Sequence, residues 1–422
     1  MRVLFATIPE KSHLFCLTPL AWAARAAGHE VRVASTAEFV DVIARTGMTA
    51  VAVGSNDGIS AAMSANRETQ QWDSVNWSEL DPPNPTYQEE FDRAQLGAYG
   101  CAMYNEPMID DLVAFARDWR PDLVVWDPLT YAGPIAAGVA GAAHVRSLCF
   151  ADVWVKKRQL FLKLAAEAPA DERARDPLGG WLTERTEQFG GTYSPESTTG
   201  QLTLDPLPDS LAIDTGVARA PVRFVPYNGP AVVPAWLRTP PERPRICLSL
   251  GASNTERYGG DYVSKSDILE SLAELDAEVV AALLPSQVRE LGALPANVRV
   301  VESVPLHALL PSCSVLIHHG GFGSYANALV HGVPQLTVTT PVADQIYRGA
   351  GLESQGAGLL LESASATAGQ VRERTARILS DAAFQENSDR LREEALARPA
   401  PADVIPVLEK LVAERRTDPW TV

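Results

Sequence analysis

The sequence predicts an α/β protein with two doubly wound domains in tandem, and three observations support that fold class. In the first half, short β-rich runs alternate with helical segments, and the runs are Arg2–Ile8, Glu30–Ala34, Ala50–Val53, Asp122–Trp126 and His144–Phe150. Residues 226–245 then contain six prolines, a density that neither a helix nor a central strand tolerates. After them the alternation restarts, with runs at Arg245–Leu250, Glu278–Leu284, Val298–Val304, Val315–His319, Gln335–Val338 and Gly358–Leu361.

The segment between the first two runs shows the pattern of a βαβ unit. Cys16–Ala27 places Leu17, Leu20 and Ala24 on one helix face, and Gly28 follows in the usual C-cap position. A strand, a helix and another strand in this order join parallel strands. Each half of the chain is therefore expected to be a parallel sheet covered by helices.

The domain limits follow from the proline-rich segment. We place an N-terminal domain at 1–225, a linker at 226–245 and a C-terminal domain at 246–401, with a C-terminal helix over 402–422 rejoining the first domain. A chain of 422 residues is too long for one ordinary core, which agrees with two domains of about 200 residues each. Two such domains are expected to face each other across a cleft, because doubly wound sheets bind ligands at the C-terminal ends of their strands.

Charge and cysteine usage restrict the classes of function. The formal net charge is −16, so nucleic acid and anionic membranes are not expected partners. The five cysteines are scattered without a Cys-x-x-Cys pair, which fits reduced thiols in the cytoplasm. No run approaches the length of a membrane span, and the apolar N-terminus is too short for a signal peptide.

A glycine-rich turn is the most informative motif. His318-His319-Gly320-Gly321-Phe322-Gly323-Ser324 follows the apolar run Cys313–Ile317 and precedes a helical segment. Glycines let a ligand approach the backbone, and a helix N-terminus offers free N–H donors with partial positive charge, so the motif predicts a phosphate site. It is neither a Walker loop nor a dinucleotide fingerprint. Gly251 and Ser253, after the first run of the second half, could admit a diphosphate opposite this turn or form an ordinary tight turn.

Two polar residues follow strands of the first half. His13 comes just after the first run, where a catalytic group belongs in this architecture, and a neutral imidazole can accept a hydroxyl proton. The alternative is a helix-capping or core histidine. Asp127 ends another run and could orient His13, although Asp-Pro is also a turn starter and the pattern favours the turn.

A carboxylate and an amide lie together after a strand of the second half. Asp344 and Gln345 follow the run Gln335–Val338 and could bind neighbouring sugar hydroxyls, or form a solvated helix cap. Four other histidines read as structural; they are His29, His144, His307 and His331. No spacing typical of metal ligands was found.

Several stretches together resemble the actinobacterial glycosyltransferases that attach deoxysugars to polyketides. They are similar to macrolide desosaminyltransferases and anthracycline aminosugar transferases. The matching stretches cover nearly the whole chain and are Lys11–Phe15, Pro19–Ala23, Arg25–Val31, Arg120–Trp126, Tyr227–Pro230, Pro234–Leu237 and His307–Pro311 with the glycine-rich turn.

The resemblance implies the two-domain GT-B fold, with a dTDP-deoxysugar held by the C-terminal domain and a polyketide acceptor by the N-terminal domain. It implies inversion of configuration without a metal or other cofactor. By position, His13 matches the family's general base. The donor residues that the resemblance implies are His319, Gly321 and Ser324 at the diphosphate, Asp344 and Gln345 at the sugar, and Val304 and Asn228 on the nucleotide side.

The resemblance also raises the question of partners. Similar transferases need a cytochrome-like auxiliary protein, and the aromatic insertion at 69–110 is the candidate surface for it, or else an acceptor wall. A homodimer is a further assembly that the sequence leaves open.

The sequence departs from the family's pattern at two positions. Asp127 stands where close relatives carry Glu, and Phe322 replaces a small residue of the turn. A catalytically silent protein with this fold is the alternative function, and His13 with Asp344 and Gln345 argue against it. An NAD-dependent oxidoreductase would carry a dinucleotide fingerprint after Ile8, where none is present.

Overall fold

The computed structural model describes residues 1–61, 75–169, 175–249, 264–283, 285–289, 291–302 and 304–417. The chain forms two compact units, one of Met1–Val225 with Arg398–Val422 and one of Pro226–Ala397. Residues 226–245 therefore lie in the second unit, and the chain returns to the first unit at Arg398.

Each unit is built on one parallel sheet. The strands of the first unit are β1 (Arg2–Ala6), β2 (Glu30–Ser35), β3 (Thr49–Ala52), β4 (Leu123–Trp126), β5 (Ala143–Ser147), β6 (Leu202–Asp205) and β7 (Arg219–Pro221). Those of the second unit are β8 (Arg245–Ser249), β9 (Glu278–Ala282), β10 (Val298–Val301), β11 (Val315–His318), β12 (Gln335–Thr339) and β13 (Gly358–Glu362). Their orders are β3-β2-β1-β4-β5-β6-β7 and β10-β9-β8-β11-β12-β13.

The helices alternate with these strands along the chain. They are α1 (Lys11–Ala26), α2 (Val40–Ala44), α3 (Tyr87–Trp119), α4 (Ala132–Ala140), α5 (Val153–Glu167), α6 (Pro177–Gln188), α7 (Lys265–Leu272), α8 (Pro285–Val288), α9 (Leu306–Leu309), α10 (Phe322–His331), α11 (Gln345–Ser354), α12 (Ala368–Ser380), α13 (Ala382–Leu396) and α14 (Pro401–Thr417). No helix in the described ranges is both long enough and apolar enough to cross a bilayer.

The central strands are apolar on both faces, as parallel sheets require. In β1, Val3 and Phe5 belong to the core on one side of the sheet, and Leu4 and Ala6 belong to the core on the other. The alternation follows from the two-residue period of a strand. The second sheet repeats it in β8, where Leu248 and Cys247 belong to different core clusters. The predicted doubly wound α/β class is therefore confirmed in both halves of the chain.

The last helix, α14, returns to the first unit and packs beside α1. Its residues Val404, Ile405 and Leu408 share a core cluster with Leu14 and Leu17 of α1. A C-terminal helix in this position covers the sheet face that α1 alone would leave partly open. The termini of the described chain thus belong to the same unit.

Both sheets change winding direction at one pair of neighbouring strands. These pairs are β1 with β4, where Ala6 lies opposite Trp126, and β8 with β11, where Ser249 lies opposite His318. In doubly wound sheets, ligands bind beyond the C-terminal ends of such a pair, because the following loops diverge there. The residues after β1, β4 and β11 therefore lie at favourable positions for a functional site.

Candidate active site

His13 lies in the first turn of α1, just beyond the C-terminal end of β1. Its side chain is largely buried, and its Nδ1 atom is 2.9 Å from Oδ1 of Asp127. The Sγ atom of Cys149 lies 3.4 Å from the same nitrogen, and the ring of Phe150 packs edge-on against the imidazole. Segments following β1, β4 and β5 thus meet at this histidine.

Asp127 is fully buried and is held by several hydrogen bonds. Its carboxylate accepts from the backbone N–H groups of Ile8 and Leu129, each at 3.0 Å, and from the hydroxyl of Thr130. Burial alone raises the pKa of this carboxyl, but the charge and hydrogen bond of His13, with the bonds from Thr130 and Leu129, hold the pKa below its ordinary value. Asp127 is therefore ionised near neutral pH.

The charge of Asp127 decides the tautomer of His13. An ionised carboxylate can only accept hydrogen bonds, so Nδ1 of His13 must carry the proton that lies between them. The lone pair of the neutral ring is then on Nε2, the nitrogen that can act as a base. The sequence left two interpretations of Asp127 open, a turn starter and a partner of His13. Both contacts are present, because Asp127 also accepts from the N–H of Leu129, two residues further along the chain.

Sequence reasoning missed a residue that supports this pair. Asn105, in α3, is fully buried, and its amide donates to the carbonyl of Leu129 at 2.7 Å and accepts from the N–H of Ala132 at 2.8 Å. These bonds fix the segment between β4 and α4 that contains Asp127 and Thr130. An asparagine within a long helix was the only sequence signal, and that signal does not identify the partner.

The glycine-rich turn has the geometry of an anion site. β11 ends at His318, and α10 begins at Phe322 with Gly321 as its N-cap. The first bond within α10 runs from the N–H of Tyr325 to the carbonyl of Gly321, at 3.1 Å. By helix geometry, the preceding N–H groups, including that of Ser324, have no acceptor within α10 and are oriented to donate to an anion.

Two glycines of this turn have no room for a side chain. Gly320 has φ +91°, and a Cβ there would lie 3.0 Å from Cβ of Gln345 and 3.1 Å from Oγ1 of Thr339. A Cβ on Gly321 would lie 2.8 Å from Nε2 of His319. The turn therefore needs glycine for its backbone conformation and for its close packing.

His318 stabilises the turn in its neutral form. Its Nδ1 accepts a hydrogen bond from the N–H of Gly320 at 3.1 Å. Burial, followed by the charges of His319 and Arg348, lowers the pKa of His318 to about 3. The ring is therefore neutral near pH 7 and can keep accepting this hydrogen bond from the turn.

A buried arginine connects the predicted sugar-binding residues to the turn. Arg348 of α11 donates from Nε to Oδ2 of Asp344 at 2.5 Å and from Nη2 to Oδ1 of Asp344 at 2.9 Å. The same Nη2 donates to the carbonyl of Gly320 at 2.8 Å. Gln345 accepts from the hydroxyl of Thr339. The structure thus brings Asp344 and Gln345 beside the glycine-rich turn through contacts that the sequence did not reveal.

The remaining residues that were predicted to bind the nucleotide sugar lie in different surroundings. The side-chain oxygen of Asn228 is 3.2 Å from the backbone N–H and 3.0 Å from Nδ1 of His307. Val304 is largely buried in a core cluster that includes Leu309. Gly251 and Ser253 lie outside the described residues. Asn228 therefore has a structural contact with α9 whatever else it binds.

The fold is that of known glycosyltransferases. The structure is similar to the crystal structure of the glycosyltransferase VinC in complex with dTDP, with a TM-score of 0.87 and 38% sequence identity over 98% of this chain and 100% of that one. With its two parallel sheets, this protein is a glycosyltransferase of the GT-B fold, as the resemblance implied.

Comparisons with protein families and with relatives assign the chain to one family of glycosyltransferases. Residues 22–251 match the N-terminal domain, and residues 266–411 the C-terminal domain, of the family described as erythromycin biosynthesis protein CIII-like. The chain is 44% identical to the aclacinomycin-T 2-deoxy-L-fucose transferase of Streptomyces galilaeus, over 99% of this chain and 98% of that protein. It is also 44% identical to the 10-deoxymethynolide desosaminyltransferase of Streptomyces venezuelae, over 99% of both. The chain belongs to the erythromycin biosynthesis protein CIII-like family.

Proposed function

We propose that this glycosyltransferase moves a deoxysugar from a dTDP-sugar to a hydroxyl group of a polyketide, with inversion of configuration and without a metal. The names of the two relatives, a 2-deoxy-L-fucose transferase and a desosaminyltransferase, support the sugar class. The observation that carries the proposal is the pairing of His13 with the buried, ionised Asp127 at 2.9 Å. That pairing leaves Nε2 of His13 able to accept a proton.

In this proposal the first unit holds the acceptor and supplies the base. Nε2 of His13 takes the proton of the acceptor hydroxyl as its oxygen attacks the anomeric carbon of the sugar. The bond from that carbon to the diphosphate oxygen breaks in the same displacement, so the configuration inverts. Asp127 stabilises the imidazolium that forms and keeps the ring oriented.

The second unit then holds the donor. Negative charge grows on the diphosphate as it leaves, and the N–H groups at the start of α10 are oriented to stabilise it. Gly320 and Gly321 allow the close approach, and Ser324 offers a hydroxyl. Asp344 and Gln345, which lie beside the turn through their bonds to Arg348 and Thr339, are proposed to contact the sugar.

We also propose that activity depends on an auxiliary protein of the cytochrome-like type. Support comes from the sequence alone, in the aromatic residues of the insertion 69–110. Within its described part, the ring of Tyr87 stacks on Phe161 of α5, and the ring of Phe91 packs at a tilt against the same residue. Turnover measured with and without such a protein tests the dependence, and light scattering tests for a homodimer.

The donor proposal is tested by calorimetry of dTDP and UDP with the full chain in buffer containing a metal chelator. We expect dTDP to bind more tightly than UDP and the variants Ser324→Ala and His319→Ala to bind dTDP about tenfold more weakly, the loss of one hydrogen bond to a charged group. Ser354→Ala, at an exposed position of α11, is the matched control and should bind as the unaltered chain does. Absence of dTDP binding in the unaltered chain would contradict the donor site.

A further inference from the structure

A cavity in the first unit lies between α3 and α5, outside the His13–Asp127 pair. Its wall includes the rings of Trp77, Tyr131 and Trp154, with Glu90 of α3 and Lys157 of α5 as buried charged residues. The two tryptophan rings contact each other, with centroids 4.4 Å apart. The cavity therefore combines aromatic surface with charged groups away from bulk water.

Hydrogen-bond donors predominate among the unsatisfied atoms of this wall. Considering the described residues alone, four buried polar side-chain atoms of the wall have no hydrogen-bond partner: Nζ of Lys157, Nε1 of Trp154, Nε of Arg158 and Oδ1 of Asp176. Three of the four are donors. Among the residues that the structure describes, the carboxylate oxygen nearest to Nζ of Lys157 belongs to Glu90 and lies 3.9 Å away, too far for a hydrogen bond. Buried donors normally have acceptors, so a ligand with acceptor oxygens would complete this site.

The small size of the cavity favours a ligand that enters it with a thin edge. Its volume is only about 50 Å³, and it opens in part to solvent. A fused aromatic ring that enters by its edge fits such a space better than a puckered macrocycle. Aromatic ligands also gain from contact with indole and phenol rings, which prefer offset or edge-to-face arrangements.

The cavity adjoins the residues that support the catalytic pair. Cys101 of α3 lines the cavity, and burial together with the charge of Asp127 raises the pKa of its thiol to about 12. One turn further along α3, Asn105 donates to the carbonyl of Cys101 at 2.6 Å and holds the segment after Asp127. Through Asn105, the cavity wall is therefore connected to the segment that follows Asp127.

We propose that this cavity binds one edge of the acceptor, and that the acceptor is a planar polycyclic aromatic polyketide bearing carbonyl or phenolic oxygens. The inference rests on the proposed function and narrows its acceptor class. Lys157 and Trp154 donate hydrogen bonds to the ligand oxygens, and the rings of the wall pack against its faces. Sequence identity does not choose between acceptor classes, because the 2-deoxy-L-fucose transferase and the desosaminyltransferase are each 44% identical to this chain.

The test compares two probes by calorimetry with the full chain: aklavinone, a tetracyclic aromatic polyketide, and 10-deoxymethynolide, a macrolactone. We expect aklavinone to bind at least about tenfold more tightly, and Lys157→Met to weaken aklavinone binding about tenfold, as the loss of a charged donor predicts. Trp154→Phe keeps an aromatic ring but removes the N–H, so it should weaken aklavinone binding about threefold. Lys163→Met, which removes the same charge from an exposed position of α5, is the matched control and should leave the affinity unchanged.

The binding of dTDP, measured on the same preparations, separates the two proposals. If dTDP binds but aklavinone does not, or if 10-deoxymethynolide binds as tightly as aklavinone, the acceptor inference is wrong while the donor proposal stands. Equal affinity of aklavinone for the unaltered chain and for Trp154→Phe and Lys157→Met also overturns the inference. If Lys157→Met does not fold, as judged by circular dichroism and urea unfolding, Trp154→Phe alone decides.

Discussion

His13 and Asp127 are two side chains whose properties depend on each other. Asp127 stays ionised although it is buried, because His13, Thr130 and Leu129 lie within hydrogen-bond distance of its oxygens. In turn, its charge keeps the proton of His13 on Nδ1. Replacing either residue therefore also changes the properties of the other residue. The two replacements should affect the protein differently.

His13→Ala removes the proposed base and should lower kcat by about 10²-fold to 10⁴-fold, the usual contribution of a positioned general base. Binding of dTDP should stay within about twofold of the unaltered chain, since His13 belongs to the first unit. The measurement is steady-state turnover with the best donor and acceptor pair, beside calorimetry of dTDP. His29→Gln, at a histidine that contacts Glu409 of α14, is the control. Unchanged kcat in His13→Ala would exclude this residue as the base.

Asp127→Asn keeps the shape of the side chain but replaces an acceptor oxygen by a donor. The ring of His13 can then adopt the other tautomer, with the proton on Nε2, and we expect kcat to fall at least about 10²-fold. The amide also loses one of the acceptor positions for Ile8, Leu129 and Thr130, so the free energy of unfolding should fall by about 1–3 kcal/mol. Turnover and urea unfolding measure the two effects. Asp118→Asn, at an exposed position of α3, should change neither, and normal turnover in Asp127→Asn would contradict the tautomer argument.

At the scale of residues, the sequence was sufficient to predict the candidate site residues that lie at the ends of strands. His13 and Asp127 follow apolar runs, and strand ends are where ligand-binding side chains occur in this fold. Asn105 and Arg348 follow no such rule, because their partners Leu129 and Gly320 lie 24 and 28 residues away in the chain. Contacts of that kind arise from packing, which no local pattern reports.

At the scale of elements, the turn between β11 and α10 joins a buried strand to a helix N-terminus within three residues. Gly320 accepts the positive φ that the change of direction needs, and its carbonyl receives the hydrogen bond of Arg348. Gly323, inside α10, has an ordinary helical position and open space where a Cβ would be. The two glycines of one motif therefore have different physical roles.

Gly320→Ala should lower the free energy of unfolding by about 1–3 kcal/mol, because φ +91° is strained for alanine and the new Cβ meets Gln345 and Thr339. Gly323→Ala, the matched control, should raise it by up to about 1 kcal/mol, since alanine is the better helix former and meets no neighbour. Urea unfolding of both variants is the measurement. Equal stability of the two would show that the turn does not need the conformation described.

Arg348→Met removes the cation that contacts the buried carboxylate of Asp344 and should cost about 3–5 kcal/mol of unfolding free energy. Adding Asp344→Asn removes the charge that is left behind, so the double variant should be more stable than the single one. The same urea titrations, arranged as a double-mutant cycle, give the coupling. A double variant that is less stable than Arg348→Met would show that the pair acts separately.

The sequence located most strands but missed two. The runs that became β1, β4, β8 and β11 are apolar because both faces of a central strand are covered. β6 and β7 have only four and three residues, and the second contains Arg219 and Pro221, so neither presents an apolar run. β7 pairs with β6 at the end of the sheet order, where proline is tolerated. The formation of an edge strand therefore depends more on pairing with the neighbouring strand than on the composition of the edge strand itself.

At the scale of the whole molecule, each unit contains a buried histidine held neutral by its surroundings. In the second unit this is His318, and in the first it is His144 of β5, whose pKa burial and the charge of Arg415 lower to about 4. The unfolded chain has ordinary histidines that bind protons near pH 6.5, as unperturbed histidines do. Folding therefore excludes protons that the unfolded chain would take up.

The sign of the effect follows from proton linkage. Because the folded pKa of His144 is depressed, its contribution to stability is fully present above about pH 6.5 and is lost as the pH falls toward about 4. Lowering the pH from about 7.5 to about 5 should cost about 2 kcal/mol from this residue alone. Asp127 contributes nothing in this range, since the pKa of that carboxyl is below its ordinary value of about 4.

His144→Gln tests this linkage, because glutamine fits a similar space and does not bind protons. Urea unfolding of the unaltered chain and of the variant, at about pH 7.5 and about pH 5, gives the loss of stability for each. We expect the variant to lose about 2 kcal/mol less, whatever its stability at the higher pH. His144 lies near the start of β5, whereas Cys149, which contacts His13, follows the end of that strand, so turnover serves as an independent check that the variant is folded. Parallel losses in the two proteins would mean that His144 is not the group whose protonation opposes folding.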